Sequence, residues 1–186
     1  MISSNWIQWV AAARDGDMAA FERLYHATRP RLHNAVVHLA GSGEDAKEIV
    51  QKAFVKAWER LPDLQEDAAF AGWIRRIAVN LVRDLWRSRK PEDEIVDDDE
   101  DGALEDDAPD PSEIVDGAIE AARLREAVSR LPLAFREAVV LHYLDGNPVD
   151  EVARTLEVPR GTILSRLSRG RSRLRMELAP YREVTR

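Results

Sequence analysis

Apolar and polar positions recur at the helical interval along most of this chain. From Phe21 onward, Leu24, Tyr25, Thr28, Leu32, Val36 and Leu39 return every three or four residues, the beat of a helix with one inward stripe. Pro30 falls inside that run, where its missing N–H and its ring predict a break or bend. Gly41-Ser42-Gly43 reads as a turn, with Ser42 placed to cap the next helix. That helix, over 44–60, turns Ala46, Ile49, Val50, Ala53, Phe54, Ala57, Trp58 and Leu61 inward. It leaves Asp45, Glu48, Gln51, Lys52 and Lys56 outward, and Pro62 ends it. A further long helix is predicted over 70–89, with Phe70, Ile74, Ile77, Ala78, Leu81 and Leu85 inward. Nowhere does the pattern fall into the period-two alternation of a strand.

The helical beat stops over 91–117 and then resumes. This stretch holds 14 Asp or Glu and no Lys or Arg, with Pro91, Pro109, Pro111, Gly102 and Gly117 among them. Such a segment cannot bury a core and is expected to be a flexible linker. Beyond it, Ile119, Ala122, Ala127, Val128 and Leu131 mark a helix ending at Pro132. Phe135, Ala138, Val139, Leu141 and Leu144 mark another, closed by Asp145-Gly146. Val149, Val152, Ala153 and Leu156 stripe a third, with Asn147 as its expected cap ahead of Pro148. Glu157-Val158-Pro159 breaks the run, and a last, basic helix begins near Pro159. The expected fold is therefore all-α: a helical block over 1–90, an acidic linker over 91–117 and a compact four-helix module over 118–186.

The last two helices form a helix-turn-helix whose second member carries the clearest chemistry. Between Arg160 and Arg175 there are six arginines and no acidic residue. At 3.6 residues per turn, Ile163, Leu167, Gly170 and Leu174 share one side and Thr162, Ser165, Arg166, Arg169 and Arg173 another. One side can pack while the other offers hydroxyls and guanidinium groups, as a recognition helix in a DNA major groove requires. A solvated basic helix on an ordinary bundle has the same pattern. The helix over 70–89 has a comparable second face, with Arg76, Asn80, Arg83 and Arg87 in line beside Asp84. An asparagine can both donate to and accept from a base edge, so this face suits a nucleic-acid strand, or simply water. Trp73 is expected in the core, whereas Trp86 fits either a core or a base-stacking role.

Charge sharpens this division. The net charge is −7, yet without 91–117 there remain 20 acids against 27 bases, a balance of +7. Two mildly basic blocks are thus joined by an acidic strap. The chain has no cysteine, which excludes disulfides and thiolate metal sites and fits a reducing cytoplasm. No apolar run approaches membrane-spanning length, and a secretory leader is not expected. His26, His33, His38 and His142 lack partners at metal-site spacing, and no phosphate loop or nucleophile motif is found. The acidic run lacks the glycine and final glutamate of a calcium loop. Neither an enzyme nor a bound cofactor is expected.

These segments, in this order, resemble an extracytoplasmic-function (ECF) sigma factor, the two-domain class of the sigma-70 family of RNA polymerase initiation factors. DMAAFERLY at 17–25 looks like the start of the family's domain 2, and DAKEIVQKAFVKAW at 45–58 like its polymerase-binding helix. FAGWIRRIAVNLVRDLWRSR at 70–89 resembles the −10-reading helix, and 131–175 resembles domain 4, which reads the −35 element. The resemblance implies that Asp45, Glu48, Gln51 and Lys52 meet the β′ clamp helices of core RNA polymerase. It implies that Arg76, Asn80, Arg83, Asp84 and Arg87 engage the −10 element as it melts. Arg160, Thr162, Ser165, Arg166, Arg169 and Arg173 would meet the −35 major groove, with the β flap as a further polymerase contact. The linker would thread between the domains through the polymerase, and an anti-sigma protein responding to stress is an expected partner.

Three positions depart from the family pattern. Glu157 stands where the turn usually has glycine, and it is strained if that position demands a positive φ. Asn147-Pro148 replaces the usual leucine-serine, and Lys47 replaces a common acid in the polymerase-binding helix. Two other binding proteins share parts of the pattern: a stand-alone helix-turn-helix regulator and a sigma-like decoy. The regulator has little use for 45–58 or for the face around Asn80, and a decoy could lose the arginines that are present here.

Overall fold

The computed structural model describes residues 4–89 and 118–182, and the acidic linker expected over 91–117 lies outside them. The chain divides into two compact units between Arg89 and Lys90. Every regular element among the described residues is a helix, and none is long and apolar enough to cross a membrane.

The first unit packs α1 (Ser4–Arg14), α2 (Met18–Ala40), α3 (Gly43–Glu59) and α4 (Phe70–Arg89), with short 3-10 turns at Leu61–Asp63 and Asp67–Ala69. Helix α1 was not anticipated. Val10 and Ala13 are buried, and the Trp6 ring meets Phe70 edge-on at 6.0 Å. Arg14, at its end, donates to the Leu64 carbonyl at 2.9 Å and pairs with Asp67, which fastens α1 to the connection before α4. Helix α2 starts where the Asp17 carboxylate accepts from the N–H groups of Ala19 (2.9 Å) and Ala20 (3.1 Å). It ends at Gly41, whose φ of 78° is the left-handed value that suits glycine.

Pro30 does not break α2, which runs unbroken from Met18 to Ala40. Pro30 is exposed, and so is His26, whose carbonyl loses its helical donor, so water can replace the missing bond. Ser42 caps α3 as expected, accepting from the N–H groups of Glu44 and Asp45 at 3.3 and 3.4 Å. Between α2 and α3 the rings interlock, with Phe21 on Trp58 at 5.0 Å and Tyr25 on Phe54 at 4.7 Å.

The buried stripe of α4 is Phe70, Ile74, Arg75, Ala78, Val79 and Val82. Ile77, Leu81 and Leu85, expected inward, are only half-buried. Both α2 and α3 pack on α4, so its buried arc is fixed by where those two helices lie, which periodicity alone does not specify.

The second unit comprises α5 (Ala118–Arg130), α6 (Leu133–Val139) continuing into a π-helical turn (Val140–Leu144), α7 (Val149–Leu156) and α8 (Arg160–Arg182). Arg136 is buried and donates to the carbonyls of Ser129 (2.5 Å) and Leu131 (2.9 Å), which the end of α5 leaves open. Burial pushes its guanidinium below the ordinary arginine value, against the opposing charge of Glu137.

Asn147 does not cap α7. It is buried, and its amide donates to the Leu141 carbonyl and to Asp145, both at 2.8 Å. Pro148 takes the cap position without a side-chain bond. The residue that begins the helix-turn-helix thus closes the preceding π-helical turn instead. Glu157 has φ 59° and ψ 42°, the left-handed conformation that the turn demands. It is the one non-glycine with positive φ among the described residues. The penalty is about 1 kcal/mol, and the Glu157 N–H still closes the helix on the Ala153 carbonyl.

Helix α8 packs against α5, α6 and α7 through Ile163, Leu167, Gly170 and Leu174, all buried as the wheel predicts. At Gly170 a Cβ would stand 2.7 Å from Cγ2 of Val139. We expect Gly170→Ala to destabilise the second unit by about 1 kcal/mol, since overpacking outweighs alanine's better helix propensity. Adding Val139→Ala restores much of that loss. Circular dichroism melts are the readout, because all five tryptophans lie in the first unit.

Candidate nucleic-acid interface

On α4 the buried stripe leaves an opposite arc of about 100° that holds Arg76, Asn80, Arg83, Asp84 and Arg87 together. Asn80, Asp84 and Arg87 are exposed, and Arg76 and Arg83 are half-buried. Asp84 accepts from Arg87 at 3.0 Å, which orients one guanidinium along the helix surface. Trp86 is half-buried, and its indole N–H donates to the Leu39 carbonyl at 3.2 Å, at the open end of α2. That bond ties the end of α4 into the unit. Trp73 is half-buried against Phe70, ring centroids 6.1 Å apart.

On α8, Thr162, Ser165, Arg166, Arg169 and Arg173 also fall within an arc of about 100°. Ser165 donates to the Thr162 carbonyl at 2.9 Å, and Arg173 lies 5.1 Å from the centre of the Phe135 ring. Arg160 stands away from these five. It pairs at 3.0 Å with Asp150 of α7 and braces the two helices of the helix-turn-helix. Sequence reasoning did not single out Leu164, which is exposed on α8 about 100° around the helix from Ser165. The helical pattern marks apolar residues as inward, so an outward leucine leaves no signal.

On α3, Glu48 and Lys52 are exposed and bonded to each other at 2.5 Å, and Gln51 is exposed beside them. Gln51 also lines an open groove of about 530 Å³ between α2 and α3, floored by Tyr25, Phe54 and Trp58 with Lys47 at its edge. Asp45 is held differently. Arg89, at the end of α4, donates to both of its oxygens at 2.7 and 2.9 Å, and the Asp45 side chain is only 16% exposed. The Arg89 hydrogen bonds, against partial desolvation and with the guanidinium charge, hold the Asp45 carboxyl below the usual carboxylate range.

A carboxyl lowered by folding stabilises the fold above its unfolded value and loses that contribution as pH falls through its folded value. Asp45→Asn is therefore expected to be less stable than the parent at neutral pH. The gap should close as pH drops below the usual carboxylate range. Urea melts followed by tryptophan fluorescence, which reports the first unit, measure both.

Residues 24–92 match the family model of Sigma-70 region 2, and residues 121–174 that of Sigma-70 region 4. The chain is 33% identical over 174 residues to the ECF RNA polymerase sigma factor SigE of Mycolicibacterium smegmatis, spanning 91% of this chain and 67% of that one. Among solved structures it is similar to CnrH in complex with the cytosolic domain of CnrY, with a TM-score of 0.72 and 25% identity over 95% of this chain and 99% of that one. It is also similar to the sigma factor RpoE in complex with the anti-sigma factor NepR from Bartonella quintana, with a TM-score of 0.66 and 25% identity over 86% of this chain and 96% of that one. The region 2 match takes in α3 and α4 whole, and the region 4 match takes in α6, α7 and α8 as far as Leu174. With both regions present in order, the chain belongs to the ECF class of the sigma-70 family, the factors that direct RNA polymerase to promoters.

Proposed function

We propose that this sigma factor docks on core RNA polymerase through α3 and reads its promoter at two places, with α4 on the −10 element and α8 on the −35 element. The observation that carries this is the two-sidedness of α4 and α8. Each roots an apolar arc in its unit and turns an arc of arginines, hydroxyls or amide outward.

The two faces suit different tasks. Asn80 presents a short amide able to pair with the edge of an unstacked base, flanked by Arg76, Arg83 and Arg87 for the phosphates. Thr162, Ser165, Arg166 and Arg169 lie toward the start of α8, the end of a recognition helix that meets base edges. Arg173, further along, is placed for the backbone. Arg160, paired with Asp150, acts in this reading by bracing the helix-turn-helix. On α3, Glu48, Gln51 and Lys52 meet the β′ clamp helices, while the second unit also reaches the β flap. Asp45 supports that surface from within through Arg89. The chain binds and positions, bond-making belongs to the polymerase, and its place of work is the cytoplasm.

An anti-sigma protein is the partner that would switch this factor off. The Bartonella sigma factor was solved with an anti-sigma factor, and its likeness to this chain supports a partner of that kind here.

Transcription in vitro with core polymerase tests the proposal. Asn80→Ala is expected to reduce permanganate-detected strand opening about tenfold, and Arg169→Ala to weaken recognition of the −35 element by a similar factor. Neither should change core affinity. Core binding without initiation would point to a decoy or to a missing activator, and absence of core binding would leave a stand-alone regulator.

A further inference from the structure

Among the described residues, two exposed large apolar side chains lie on α8: Leu164, 40% exposed, and Met176, 69% exposed. Met176 is more than four turns from the start of the helix, whereas Leu164 is in its second turn. We infer that Leu164 is a specificity-determining residue of the reading face, selecting a thymine in the −35 element through its C5-methyl group. This rests on the assignment of α8 to the −35 element.

The placement of Leu164 supports this. The buried arc of α8 runs through Ile163, Leu167, Gly170 and Leu174, and the outward arc lies opposite it. Leu164 borders that outward arc on one side, and Arg166 and Arg173 border it on the other. Next to Leu164 on that arc lie Ser168, Gly161, Ser172 and Ser165, whose small side chains let the helix backbone come near a groove floor. A leucine at that border therefore reaches base edges.

The chemistry narrows the target. Leucine neither donates nor accepts a hydrogen bond, so it gains nothing from phosphate oxygens. The thymine methyl is the apolar feature that a base pair presents in the major groove. A methyl buried against Leu164 carries sequence information and releases no counterion. Arginine contacts along the same helix instead add affinity that falls with salt.

The test uses the full chain with core polymerase and a promoter selected in vitro from a pool randomised over the −35 element. Wild type should select a thymine at one position that Leu164→Ala leaves unselected. Replacing that thymidine by deoxyuridine, which removes only the methyl, should weaken wild-type binding about fourfold and leave Leu164→Ala unchanged. The salt dependence of the two proteins should be the same. If deoxyuridine is tolerated by wild type, or costs both proteins equally, the role of Leu164 is overturned. Should Arg169→Ala still abolish −35 selectivity in that case, the assignment of α8 stands. If the pool yields no −35 preference at all, the assignment and this inference fall together.

Discussion

A helix proposed to read DNA must stay rooted while its reading side is left accessible. On α8 the rooting is tightest at Gly170, where α6 comes so close that a Cβ would sit 2.7 Å from a Val139 methyl. Ile163, Leu167 and Leu174 extend the seat along the same arc, and each is at most 4% exposed. The rotation of α8 is thereby fixed, and with it the direction in which Arg166, Arg169 and Ser165 point. Glu157 accepts a left-handed backbone one turn earlier so that α7 can end and α8 can begin at the angle this seat requires.

The first unit solves the same problem with two supports. Phe70 and Ile74, both fully buried, seat the start of α4, and each contributes about 2 kcal/mol by leaving water. Its far end is held by polar contacts: the Trp86 indole on the open carbonyl of Leu39, and Arg89 on Asp45. Asp45 belongs to the first turn of α3, so that ion pair joins the helix proposed to hold the polymerase to the helix proposed to hold the DNA strand. Arg89 is about half exposed, which limits what the pair adds to stability, so these contacts chiefly fix orientation.

Much of this was legible in the sequence wherever a helix has one apolar side. The bounds of α4, the Ser42 cap and the buried arc of α8 follow from spacing and turn chemistry, and the strain at Glu157 follows from the glycine usual there in the family. What failed to show depends on contacts distant in sequence or on the state of a single group. Nothing local reveals that Asp45 meets Arg89, 44 residues away. Asn147 looks like a cap because its neighbour is proline, yet burial turns its amide back onto Leu141 and Asp145. Pro30 looks like a break or bend, and the helix continues through it because the carbonyl it leaves open belongs to an exposed turn. Trp6, Val10 and Ala13 did carry a helical interval for α1, but three positions in a short run of alanines make a faint signal.

The central claim is that two separate faces of one chain read two separate promoter elements, and a cysteine-free sequence allows it to be tested directly. A single cysteine at Ser88→Cys on α4 or Ser172→Cys on α8, both exposed and outside the proposed contacts, can carry an iron chelate that cuts nearby DNA in the initiation complex with core polymerase. The account predicts cuts centred on the −10 element from the first and on the −35 element from the second. Cuts at one shared place, or at neither element, would contradict it.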